Sequence, residues 1–139
     1  MKIGLVREIK SEEYRVGLTP DSASEYIGHG HEVTVETKAG EGSGFTDTEY
    51  QEVGCRITAD KHQLFNDSDM IVKVKEPRPE EFNYLKPGQI LYTYLHLAAN
   101  RELTETLIEK KISAVAYETV MEKDGSLPLL MPMSQIARR

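Results

Sequence analysis

Residues 89–120 read "QILYTYLHLAANRELTETLIEKKISAVAYETV". "QILYTYLHL" is an apolar, aromatic-rich run of strand length. "NRELTETLIEKK" (100–111) opens on Asn100, a good helix N-cap, and sets Leu103, Leu107 and Ile108 on one helical face. "ISAVAYETV" (112–120) is a second apolar strand. Strand, helix and strand in this order form a crossover, which pairs its two strands in parallel.

The same alternation runs through the rest of the chain. "KIGLVRE" (2–8) is a short buried strand. In "LTPDSASEYIGHG" Thr19 is the N-cap, Pro20 takes the first helical position, and Gly28 or Gly30 stops the helix. "HEVTVET" (31–37) is a strand with Val33 and Val35 alternating. Thr46 and Glu49 make a capping box before "DTEYQEVG", with Gly54 as its stop. A short strand at "CRIT" and a short helix at 59–65 follow, then a strand at "DMIVKVKEP" (69–77) ended by Pro77. "RPEEFNYLKPG" is a short helix closed by a Pro-Gly turn, and Asp124-Gly125 is another turn. The fold class is therefore α/β: a mostly parallel sheet with helices on both faces, Rossmann-like or flavodoxin-like. No internal repeat, linker or low-complexity stretch interrupts it.

Composition narrows the function classes. A chain of 139 residues has single-domain length, and 39% hydrophobic residues suffice for one ordinary core. A formal charge of −6, with no Lys/Arg cluster, argues against nucleic acid as a partner. No run reaches the length of a membrane span, and the N-terminus has too short an apolar run for a signal peptide. Cys55 is the only cysteine, so no intramolecular disulfide forms, which fits a reducing cytoplasm.

In an open parallel sheet, ligands bind beyond the carboxyl ends of the strands. Arg15, in the loop after the first strand, Lys75, at the end of "IVKVK", and His96, at the end of "ILYTYLH", all map there. An arginine fork binds a carboxylate, a lysine adds a point charge and a donor for a carbonyl oxygen, and a histidine moves protons near neutrality. Two cations and a proton carrier in an acidic protein suit a small anion with a reacting oxygen or amine, such as a 2-oxo acid. Each residue also has a bland reading. Arg15 follows Glu12 and Glu13 and could be a solvated loop charge; Lys73 and Lys75 share a strand face that could be an exposed edge; His96 could be a satisfied core histidine. Tyr117 and Glu118 end the last strand and could reach the same crevice. Tyr92 and Tyr94 make one strand face aromatic, with core packing the default. "GEGSGF" (40–45) fails the G-x-G-x-x-G spacing, because Phe45 stands at the third glycine, and reads as a tight turn. "HGH" (29–31) lacks a third ligand for a metal, and Cys55 reads as a small core residue.

"REIKSEEYRVGLTP", "GHEVTVETKAGEGSGFTDTEY", "VKVKEP", "GQILYTYLHLAA", "AYETV" and "LPLLMPMS" together resemble the N-terminal, substrate-binding part of NAD-dependent alanine dehydrogenases, over residues 1 to 136. The resemblance implies that Arg15 binds the substrate carboxylate, Lys75 contacts pyruvate and His96 is the acid/base. It also implies that Met133 flanks the substrate and that Ser134 touches the NAD cofactor from an interdomain hinge. The implied reaction interconverts L-alanine with pyruvate and ammonia. Hydride leaves the alanine α carbon for the nicotinamide, water adds, and His96 handles the protons, with a further catalytic aspartate supplied by the nucleotide-binding domain. The implied assembly is a homohexamer. The transhydrogenase alpha chain shares "RVxxTP" and a similar glycine loop but does not use the "LHLA" histidine.

The departures shape the expectation. No G-x-G-x-x-G occurs, and Arg138 stands where that family has glycine. Residues 1–130 are expected to form the substrate domain and 131–139 to begin a hinge helix, with the nucleotide-binding domain absent. The chain is expected not to oxidise alanine alone, as a truncated product, a proteolytic fragment or part of a split gene. The alternatives are a transhydrogenase-like domain and a stand-alone module for 2-oxo acid binding or subunit assembly.

Overall fold

The computed structural model describes residues 1–131. Along the chain run β1 (Lys2–Leu5), α1 (Pro20–Gly28), β2 (Glu32–Glu36), α2 (Asp47–Glu52), β3 (Arg56–Thr58), α3 (Lys61–Asp67), β4 (Met70–Val72), β5 (Ile90–Thr93), α4 (Arg101–Glu109) and β6 (Ser113–Ala116). The strands form one sheet in the order β3-β2-β1-β4-β5-β6, and every neighbouring pair is parallel. The chain winds outward from β1 to β3, then returns to the other side of β1 and winds outward again to β6. Right-handed crossovers in opposite directions place their helices on opposite faces. The order reverses between β1 and β4, so the loops at their carboxyl ends diverge and leave a crevice.

Two apolar clusters lie on the two faces. Ile3, Leu5, Val33, Val35 and Val72 pack with Ala23 of α1 and Tyr50 of α2. Ile71, Leu91 and Leu95 pack with Leu64 and Phe65 of α3 and with Leu103 and Leu107 of α4. Side-chain alternation explains the sorting: Ile71 and Val72 are neighbours in one strand and belong to different clusters. Gly4 lies between Ile3 and Leu5 and faces α3, where a Cβ would run into Ser68 Oγ and fall 2.8 Å from Leu64 Cδ2. Only glycine admits so close an approach of strand and helix. Cys55 is buried in the first cluster, and burial pushes its thiol up to about 11.

The capping signals act as read. The Thr19 hydroxyl accepts from Ser22 N–H, Pro20 begins α1, and Gly30 at φ +90° turns the chain out of it. Thr46 and Glu49 close their capping box, and Asn100 accepts from Leu103 N–H. The short helix expected at 59–65 lies two residues later, because Asp60 is its cap and accepts from Gln63 N–H. The helix expected at "RPEEFNYLKPG" is a 3-10 helix, Pro79–Tyr84. Ile108, expected on the buried face of α4, is 72% exposed; only Leu103 and Leu107 face the core. The strand expected at 69–77 ends at Val72, and the one at 112–120 ends at Ala116. No helix among the described residues is long and apolar enough to cross a membrane.

Candidate functional site

The segment after β1 carries Glu8, Glu13 and Arg15 across the carboxyl edge of the sheet. It is held from the β2 side. Ser43 Oγ donates to the Tyr14 carbonyl at 2.8 Å, and Tyr50 Oη donates to the Leu18 carbonyl at 2.7 Å. The glycine loop 40–45 therefore serves the Arg15 segment. A Cβ on Gly42 would fall 2.8 Å from the Tyr14 carbonyl oxygen, so the glycine permits a backbone contact within the protein. A dinucleotide phosphate would need that approach free, and "GEGSGF" does not fit the group.

Arg15 engages Glu13 through a fork: Nε to Oε2 at 2.9 Å and Nη2 to Oε1 at 2.7 Å. The Arg15 N–H also donates to Glu13 Oε2 at 3.1 Å. Arg15's side-chain bonds hold the Glu13 carboxyl below its ordinary value, and the charge of Lys75 acts in the same direction. The same bonds raise the Arg15 guanidinium. Lys75 lies beyond β4, half-buried, and its N–H donates to Glu8 Oε1 at 2.8 Å. Among the described residues Lys75 Nζ makes no hydrogen bond or ion pair, and its charge acts on the Glu13 carboxyl from a distance.

Lys73 does not share a face with Lys75. It is 1% exposed, and its Nζ lies 3.1 Å from Glu8 Oε2 and 3.4 Å from Glu81 Oε2. Lys61 Nζ extends the network to Glu36 at 3.4 Å and Glu81 at 3.7 Å. The chain leaves the regular ladder after Val72, so the period-two relation between residues 73 and 75 no longer holds. Lys73 faces inward to the carboxylates, while Lys75 is half-buried and its charge acts on Glu13. The sequence does not announce this network. Its partners are separated by up to 65 residues, and only the "V-K-V-K" doublet hints at an internal lysine.

Next to Arg15 a cleft of about 440 Å³ opens, walled by Phe45, Val72, Val74, Tyr92, Tyr94 and Tyr117. The tyrosines pack edge-on: Tyr117 lies 4.3 Å from Tyr92 and 4.9 Å from Tyr94 between ring centroids. Tyr92 and Tyr94 are thus cleft walls, which corrects the default expectation of sealed core. Tyr94 Oη donates to the Leu129 carbonyl at 2.7 Å, and Tyr117 Oη to the Lys73 carbonyl at 3.0 Å. Burial raises the hydroxyls of all three, and Arg15 partly offsets this at Tyr94. Neutral phenols at a cation-edged cleft offer donors without adding negative charge.

His96 follows β5 as an exposed residue at φ 50°, ψ 43°, the left-handed region. A residue with a Cβ costs about 1–2 kcal/mol there. The backbone is held by Glu118, which comes from beyond β6. Glu118 Oε1 accepts from His96 N–H at 2.9 Å and from Leu95 N–H at 3.0 Å. Burial pushes the Glu118 carboxyl up, but the N–H groups of His96 and Leu95 and the nearby imidazole outweigh it, and its net shift is downward. His96 is therefore not the core histidine of the bland reading.

Arg15, Lys75 and His96 thus stand on loops after β1, β4 and β5, three adjacent strands, all at one sheet edge. Only Arg15 lines the apolar cleft; Lys75 and His96 lie outside its wall. Their charges meet through intermediaries: Lys75 acts on Glu13, Arg15 and Glu118 act on Tyr94, and His96 acts on Glu118. Met133 and Ser134 lie outside the described residues. His31 Nδ1 approaches the N-terminal amine at 3.2 Å, and among the described residues no group of three or more His, Cys, Asp or Glu is placed to hold a metal ion.

The model of the alanine dehydrogenase/PNT N-terminal domain matches residues 4–137. The chain belongs to this family. Within the alanine dehydrogenase/PNT family, an alanine dehydrogenase of Halomonas elongata is 50% identical over all 139 residues, which span 38% of that relative. Alanine dehydrogenase 2 of Staphylococcus aureus is 51% identical over the whole chain, 37% of its own length. A solved L-alanine dehydrogenase superposes with a TM-score of 0.95 at 48% identity, over 99% of this chain and 38% of that one. A transhydrogenase structure from Sinorhizobium meliloti matches at a TM-score of 0.81 and 24% identity, over 88% of this chain and 36% of its own, which shows a shared fold. The chain spans under two fifths of the length of the curated relatives named here.

Proposed function

We infer that this chain is the substrate-holding part of an NAD-dependent alanine dehydrogenase that interconverts L-alanine with pyruvate and ammonia. The observation that carries the reading is the placing of an arginine fork, a half-buried lysine without an ion pair among the described residues and an exposed histidine after three adjacent strands, in a chain half identical to alanine dehydrogenases. Arg15 takes the substrate carboxylate in two parallel hydrogen bonds. Lys75 donates to the carbonyl oxygen of pyruvate and favours the polarised form. Once the α carbon is at the imine level, water adds there; His96 accepts the proton that water releases and returns it to the departing nitrogen. Holding the acid by two cations fixes its α carbon, and such positioning is worth several kcal/mol of a barrier.

NAD, which accepts the hydride in that reaction, would be held outside the described residues, since the glycine loop 40–45 packs on Tyr14 and does not fit a dinucleotide phosphate. Residues 131–139 would lead into that part, with Met133 beside the substrate and Ser134 beside the cofactor. The same reading carries a homohexamer in the cytoplasm. The purified 139-residue chain, mixed with L-alanine and NAD, is expected to give no rise in absorbance at the NADH band. Pyruvate titrated onto the same chain is expected to shift resonances of Arg15, Lys75 and His96. NADH formation by the chain alone, or a spectrum that pyruvate leaves unmoved, would sink the respective half of the reading.

A further inference from the structure

We propose that Glu118 is a positioning residue whose carboxylate, reaching from the end of β6 to the end of β5, fixes the left-handed turn that aims the His96 imidazole. The proposal deepens the reading above and rests on His96 as the proton carrier.

Four observations carry it. His96 adopts φ 50°, a conformation in which a side-chain-bearing residue needs outside support. Glu118 is the support: its carboxylate takes both consecutive N–H groups, Leu95 and His96, at 3.0 and 2.9 Å. The downstream side of the turn is tied separately, with Ala99 N–H donating to the His96 carbonyl at 3.1 Å. Glu118 is itself anchored by its neighbour, since Tyr117 is wedged between Tyr92 and Tyr94 and donates to the Lys73 carbonyl at 3.0 Å. The carboxylate therefore stands on a rigid base and grips backbone, not the imidazole. Without it, two adjacent N–H groups lose a charged acceptor and the turn loses its reason to stay left-handed. His96 would then relax toward extended or right-handed backbone, and its ring would take a new direction.

The test compares isotopically labelled wild type, Glu118→Ala, Glu118→Asp and Glu118→Gln chains by nuclear magnetic resonance. In Glu118→Ala the amide protons of Leu95 and His96 are expected to exchange on the order of tenfold faster or more. The Cα and Cβ shifts of His96 should leave left-handed values. Glu118→Gln, whose carbonyl oxygen can accept from both N–H groups, should restore most of the protection and the shifts. Unchanged exchange at Ile71 and Leu91 shows that the fold is intact. Should Glu118→Ala not fold, Glu118→Asp decides, because its carboxylate is one methylene short: selective acceleration at residues 95 and 96 supports the assignment. Wild-type exchange and wild-type His96 shifts in the folded Ala or Asp variant overturn it. Pyruvate is added only afterwards, so a His96 ring that ignores pyruvate overturns the proton-carrier reading while leaving the amide comparison to decide the role of Glu118.

Discussion

Lys73→Ala is expected to lower the unfolding free energy by about 3–5 kcal/mol, measured by urea titration. The substitution strands Glu8 and Glu81, whose side chains are 3% and 1% exposed, next to an empty space. A buried carboxylate without its cation is far costlier than the pair is favourable, so loss of one partner outweighs the net worth of the bridge. Lys61 reaches Glu81 only at 3.7 Å and is already shared with Glu36, so it substitutes poorly. Replacing all three charges by apolar or amide residues of similar volume, Lys73→Met with Glu8→Gln and Glu81→Leu, should recover most of the loss. A Lys73→Ala chain as stable as wild type would show that water reaches the network. The effect extends to the site, because Glu8 Oε1 also holds the backbone N–H of Lys75.

Arg15→Ala is expected to weaken pyruvate binding on the order of 10–100-fold, equivalent to loss of hydrogen bonds worth about 1.5–3 kcal/mol to a charged group. Glu13→Gln is expected to move affinity the other way by severalfold. In the structure the guanidinium fork is already engaged by Glu13, so a substrate carboxylate must compete for the same donors. Arg15 holds the Glu13 carboxyl below its ordinary value of 4.5, so Glu13 remains ionised and competing at neutral pH. A neutral amide in place of that carboxylate would bind the fork less tightly. Calorimetry or chemical-shift titration of the three chains decides the matter, and equal affinities for wild type and Arg15→Ala would remove Arg15 from the site.

The parallel sheet is legible because each crossover carries its own local signals. Thr19, Thr46 and Asn100 are caps whose side chains bond within three residues, so the sequence alone contains both partners. Strand ends are overrun for the opposite reason. "VKVKEP" alternates as a strand would through Pro77, but regular pairing ends at Val72; Lys73 and Val74 keep one backbone bond each to Tyr92 and Tyr94, while the Lys73 side chain meets Glu8 and Glu81. Glu8 lies 65 residues from Lys73, so no local window could hold that partner. Arg15, Lys75 and His96 are legible as a group because sheet topology converts strand order into position. Glu118 reads in the sequence only as a residue that could reach the crevice. Its grip on Leu95 and His96 spans 22–23 residues and involves backbone N–H groups, which leave no trace in residue type. Nor does "YLHLAA" contain a glycine to announce a left-handed turn.

Cys55 offers a use unrelated to substrate chemistry. It is the single thiol of the chain, sealed in the cluster between α1, α2 and the sheet. Burial raises the thiol to about 11, so almost none is present as reactive thiolate at neutral pH. With only 6% of the residue exposed, a thiol reagent reacts slowly with the native protein and faster when this side of the sheet opens. Labelling rate becomes a stopwatch for exposure of the cluster around β1 to β3, built in without an added probe.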